Sequence, residues 1–104
     1  TVADSFILLP GNDAAYDGCK ITILNCAFEL EIRAANADGT GRIRNFSGNH
    51  GTQAGQPWTT TYARAELASG HSISFLCSQV EAGDYYWCVI DTSDSGLGLH
   101  EALN

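Results

Sequence analysis

Apolar and polar residues along this chain alternate at a period of two more often than they recur at helical spacing. The clearest stretch is 26–33, where Cys26, Phe28, Leu30 and Ile32 share one face and Ala27, Glu29, Glu31 and Arg33 the other. That is the pattern of a half-buried strand with a wet side. Just upstream the parity is odd, at Ile21 and Ile23, so a bulge or a bend between two strands is expected near Leu24 and Asn25. Residues 5–9 read as a short strand closed by the turn cluster Pro10-Gly11-Asn12-Asp13. Residues 36–39 mark a second turn, 42–46 a short strand, and 47–57 a loop of small residues. Residues 59–62 have high strand propensity. A short helix over 63–68 is compatible with the residues but ends at Gly70. Ile73, Phe75 and Cys77 alternate again, 85–90 is aromatic and β-branched, 91–96 is a turn, and Leu97 and Leu99 open a last strand. About seven short strands with turns at near-regular intervals predict an all-β fold, a compact antiparallel β-sandwich or β-barrel.

Length fits one domain spanning 1–104. The net charge of −7, with Lys20 the one lysine beside four arginines, argues against nucleic acid or anionic lipid as a partner. No apolar run approaches the ~18 residues of a membrane span. Charged residues make up only 16%, and four cysteines with no methionine suit a secreted chain whose leader is removed. Asn45-Phe46-Ser47 is a glycosylation sequon, which fits that reading.

The cysteines are Cys19, Cys26, Cys77 and Cys88. Their spacings do not match a zinc site, so two disulfides are expected and no metal or other cofactor. If Glu81-Ala82-Gly83-Asp84 is a four-residue turn, Cys77 falls opposite Cys88, at a separation that a disulfide accepts. Cys19 and Cys26 would lie ~23 Å apart on a straight strand. Only a bend near Asn25 would let them pair. The competing long-range pairing, Cys26 with Cys88, would make an immunoglobulin-type sandwich. Residues 80–88, with Tyr86 two before Cys88, resemble the end of a variable domain. Ala82 stands where its aspartate is expected, and both the core tryptophan after Cys26 and the closing Phe-Gly-x-Gly strand are missing.

Cys19-x₆-Cys26-Ala27-Phe28-Glu29-Leu30, Phe75-Leu76-Cys77-Ser78, Asp84-Tyr85-Tyr86-Trp87-Cys88 and Asp94-Ser95-Gly96-Leu97-Gly98-Leu99 together resemble small secreted ascomycete proteins related to the major Alternaria allergen. The resemblance touches about half of the chain. It departs at Ile21-Thr22-Ile23-Leu24, apolar where those proteins are polar. It implies a secreted fungal effector, elicitor or allergen-like protein that binds a host protein or glycan and has no catalytic centre.

Candidate contact residues are the aromatic rings. Trp58, after Pro57 in a polar loop, and Tyr85 and Trp87, on a strand of alternating aromatics, are candidates for a binding surface, with burial in a two-layer core the competing reading. A small secreted ribonuclease or toxin is the enzymatic alternative. Such chemistry needs a carboxylate, a histidine and a cation to converge on phosphate, and Glu66, His71 and Arg64 are the residues near enough in sequence to be considered. Asp84, Asp91 and Asp94 cluster around one turn without the spacing of a calcium loop and read as solvated carboxylates.

Overall fold

A computed structural model describes residues 6–11, 13–26, 28–35, 41–45, 60–81 and 83–103. The described chain is all-β apart from one turn of 3₁₀ helix at Ala14–Tyr16. The strands are β1 (Phe6–Leu8), β2 (Lys20–Leu24), β3 (Leu30–Arg33), β4 (Ile43–Asn45), β5 (Thr61–Tyr62), β6 (Arg64–Leu67), β7 (Ser72–Glu81), β8 (Asp84–Thr92) and β9 (Gly98–His100). They form a four-stranded sheet in the order β1-β3-β6-β9 and a five-stranded sheet in the order β2-β7-β8-β4-β5. The all-β fold expected from the sequence is borne out as two packed sheets, and the antiparallel expectation is corrected at two pairs: β1 runs parallel to β3 and β4 parallel to β8, so both sheets are mixed.

The parity switch near Asn25 marks the passage from one sheet to the other. β2 ends at Leu24 in the five-stranded sheet and β3 begins at Leu30 in the four-stranded one. The single strand expected over 26–33 is therefore shorter at its start, and Phe28, expected on the buried face, is 86% exposed. A second crossing occurs at Ala63. β5 and β6 are almost continuous, but Ala63 is buried between the sheets, donating to the His100 carbonyl and accepting from Ala34 N–H. This places Arg64 and Glu66 on a strand, not on the short helix that 63–68 would also allow. Gly41 is bridged to Ala35 beside the same corner, and a Cβ there would lie 2.3 Å from the Tyr62 backbone.

Alternation then fills one core. Ile32, Ala65 and Leu67 from the four-stranded sheet meet Ile43, Tyr62, Ile73, Phe75, Cys77, Trp87 and Val89 from the five-stranded one. Trp87 and Phe75 are the largest fully buried side chains. Burying such rings contributes roughly 1.5–3 kcal/mol each. Trp87 also donates its indole N–H to the Pro10 carbonyl at 2.9 Å, which fastens the loop before the 3₁₀ turn across the end of the core.

The β7–β8 hairpin corrects the cysteine arithmetic. Glu81 pairs with Asp84, but the register then slips by one residue between Gln79 and Glu81. Cys77 therefore lies opposite Trp87, and Cys88 opposite Leu76. Because neighbouring residues on a strand face opposite ways, a one-residue slip places the two thiols on opposite sides of the sheet. Cys77 points into the core with Phe75 and Trp87, while Cys88 is on the outer face beside Arg44. Cys19 and Cys26 fare no better as a pair. They flank β2, which is paired without interruption along β7 from Lys20 to Leu24, so the bend that would join them lies beyond Leu24. Cys26 and Cys88 are separated by β7 and by several residues along the strands, and β2 and β8 share one sheet where an immunoglobulin pair would bridge two. All four cysteines are free thiols in this structure, and the two predicted staples are absent from it.

Candidate functional site

Most of the rings and polar groups singled out in the sequence take structural roles. Trp87 is fully buried, which corrects its assignment to a binding surface: it belongs to the inward parity of β8. Tyr85 has the same parity nearer the hairpin turn and packs half-buried against the core. Tyr86, on the outer face, is nearly covered, with the Arg44 guanidinium 4.5 Å from its ring centroid. Trp58 lies outside the described residues. Asn45 is 3% exposed on the inward side of β4, and its amide nitrogen and oxygen are both buried. The other two sequon residues, Phe46 and Ser47, lie outside the described residues.

Asp94 is also buried rather than solvated. Its carboxylate accepts from Ala68 N–H at 3.0 Å and Gly96 N–H at 2.9 Å, which fixes the turn before β9. Among the described residues no group of three or more His, Cys, Asp or Glu side chains could hold a metal ion.

The residues that do converge lie on the outer face of the four-stranded sheet. Glu31 and Arg33 of β3, Arg64 and Glu66 of β6 and His100 of β9 stand opposite one another across the strands. Arg64 Nη1 donates to Glu66 Oε1 at 2.9 Å, and His100 Nε2 lies 2.5 Å from the same oxygen. Arg64 Nε reaches the Ala102 carbonyl at 3.2 Å, tying the chain after β9 over the cluster. Glu31, fully buried, pairs with Arg33 Nε and lies 3.8 Å from Arg64 Nη1. Gly98 leaves room for this packing, since a Cβ there would come 3.1 Å from His100 Nε2.

The electrostatics follow from these contacts. Burial pushes the Glu66 carboxyl up, but hydrogen bonds from Arg64 and Glu29 and the charges of Arg64 and His100 outweigh it, so Glu66 titrates below the usual carboxylate range. Glu29 shifts the other way, raised chiefly by its hydrogen bond to Glu66. The two carboxyls are coupled neighbours whose proton affinities are pushed apart in this way.

Sequence proximity thus found two members of this cluster and missed the third. Glu66 and Arg64 come together, whereas His71 is at the far end of β6, its Nδ1 3.1 Å from Ser93 Oγ. His100, 34 positions beyond Glu66, takes the place beside it because β9 pairs with β6. The alternation of β9 was readable, but its partner strand was not.

The edge of the same sheet is apolar. Among the described residues β1 is terminal in the strand order, and it exposes Phe6 (46%), Ile7 (39%) and Leu8 (64%). Phe6 and Leu8 share the outer face with Glu31 and Arg33, and the Arg33 guanidinium sits 3.9 Å from the Phe6 ring centroid. No protein-family model, curated protein or solved structure matches this chain.

Proposed function

We propose that this is a secreted protein that acts by binding, and that β1 is its recognition edge, where an extended segment of a partner protein adds as a further strand. The observation that carries the reading is the exposure of all three β1 residues at the end of a sheet. An apolar edge with open backbone groups is a template for strand addition. In a parallel ladder alternate residues bond to the neighbour. Leu9 N–H donates to the Arg33 carbonyl, so Leu9 and Ile7 face β3 while Phe6 and Leu8 turn their backbone groups to the open side. The net charge of −7 makes self-pairing of two copies unfavourable and favours a basic segment. The resemblance to ascomycete allergen-like proteins adds the expectation of a host partner.

Selection of extended peptides from a displayed random library tests this. Peptides that bind the wild type but not Leu8→Pro support it, because proline removes the outward N–H and spares the β1–β3 bonds. Failure to select any peptide, peptides that bind both proteins equally, or binding only to arrayed glycans would overturn it.

The Glu66–His100–Arg64 cluster supports a second reading, acid–base cleavage of a phosphodiester. A carboxylate 2.5 Å from an imidazole with a guanidinium alongside has the necessary groups. Its test is turnover of a fluorogenic oligoribonucleotide. Activity lost in His100→Ala and retained in His71→Ala would favour this reading over binding, and no turnover by the wild type would dismiss it.

A further inference from the structure

Tyr16 to Cys19 form a type II turn. Asp17 has φ −54° and ψ 127°, Gly18 has φ +81°, and Cys19 N–H closes the turn on the Tyr16 carbonyl at 2.9 Å. The positive φ requires glycine. The turn runs directly into a β-bulge against β7. Gly18 N–H donates to the Cys77 carbonyl and Cys77 N–H donates to the Cys19 carbonyl, both at 2.9 Å, so Gly18 and Cys19 together oppose Cys77. Cys19 has the parity of Ile21 and Ile23, which pair with Phe75 and Ile73 on the core side, and Cys77 shares that side. Directly opposed residues of antiparallel strands hold their α-carbons ~4.5–5.5 Å apart, within the span of a disulfide.

We infer that Cys19 and Cys77 are a redox pair that closes to a cross-strand disulfide, stapling the 3₁₀ turn to the core. This pairing differs from every one the sequence points to, and it rests on the turn and register alone, independently of the proposed recognition edge. Cys19 is exposed and Cys77 buried, so the order of steps follows from access. The Cys19 thiolate attacks a small disulfide such as oxidised glutathione, releasing one glutathione thiol and leaving a mixed disulfide. The Cys77 thiol then loses its proton and displaces the second glutathione. The balance is one protein dithiol and one oxidised glutathione to one protein disulfide and two glutathione thiols. Burial, together with the negative groups Asp17, Cys19 and Asp13, holds the Cys77 thiol above its usual range, so the second step is the slow one and quickens with rising pH. Cys26 lies beyond the other end of β2 and Cys88 on the opposite face of the hairpin, so neither competes.

The experiment equilibrates the protein in oxidised glutathione, alkylates the remaining thiols under denaturing conditions and maps the unreduced peptides after trypsin and Glu-C digestion, which cut at Lys20 and Glu81 and so separate all four cysteines. The expected product is a Cys19–Cys77 cross-link two hydrogens lighter than the two thiol peptides, with Cys26 not linked to either. Closing a loop of about 60 residues should raise the melting temperature by about 10 °C or more relative to the reduced protein. Cys19→Ser, a change at an exposed site, should abolish that shift and Cys26→Ser should keep it. Alkylated Cys19 and Cys77 in the oxidised sample, a Cys19–Cys26 or Cys77–Cys88 cross-link, or a shift that survives Cys19→Ser would overturn the inference.

Discussion

Replacing Arg64 by Met is the sharpest perturbation of the charged face. The change keeps the apolar stem of a side chain that is only 8% exposed and removes the guanidinium that serves Glu66 at 2.9 Å, the Ala102 carbonyl at 3.2 Å and, at 3.8 Å, Glu31. Breaking a buried ion pair costs about 3–5 kcal/mol, because the remaining charge stays desolvated. Glu31 keeps Arg33, which argues for the lower end, about 3 kcal/mol, and the lost bond to Ala102 adds about 1 kcal/mol. Against a total of about 5–15 kcal/mol this is a large fraction, and for a domain of this size it lowers the melting temperature by at least about 12 °C. The pH dependence is the more discriminating readout. Glu66 titrates below the usual carboxylate range when folded, so its contribution is present above that range and is lost as pH falls through its folded value. Without Arg64 the burial of Glu66 is opposed only by Glu29 and His100, which favours protonation. The gap between wild type and Arg64→Met should therefore be widest at pH 7 and narrower at about pH 3. Urea denaturation followed by circular dichroism at both pH values gives the answer. A loss under about 1 kcal/mol at pH 7, or an equal loss at both, would refute the account of this cluster.

Other outcomes follow from the packing. Trp87→Ala should cost about 3–5 kcal/mol and free the loop that Pro10 anchors, read by denaturation and by faster proteolysis before residue 14. Gly41→Ala should destabilise by about 1–3 kcal/mol or more, since the new Cβ meets backbone at 2.3 Å, and wild-type stability would contradict that crossing.

Fold class was legible because alternation survives in nearly every element, and the switch of parity between Ile23 and Phe28 marked where the chain leaves one sheet for the other. What local pattern could not carry was register and partnership. A single extra residue near Val80 moves Cys77 from Cys88 to Trp87, and nothing in the composition of the hairpin announces it. Glu31 was read as solvent-facing from correct parity. It is nonetheless fully buried, paired with Arg33 and 3.8 Å from Arg64, which only the β3–β6 pairing brings beside it. The same limit explains the charged cluster: Arg64 and Glu66 sit two apart on one strand, so sequence finds them, while His100 arrives through the β6–β9 pairing and is found only in three dimensions. Aromatic residues were ambiguous for a different reason, since strong β propensity is shared by core and surface rings.

The central claim, that β1 offers an open edge for a partner strand, is tested most directly by amide hydrogen exchange resolved at residues 6–9. In the free protein the account predicts slow exchange at Ile7 and Leu9, which face β3, and exchange near the unprotected rate at Phe6 and Leu8, which face outward. Strong protection of Phe6 and Leu8 in the free protein would mean that the edge is already occupied, and the proposed mode of recognition would fall.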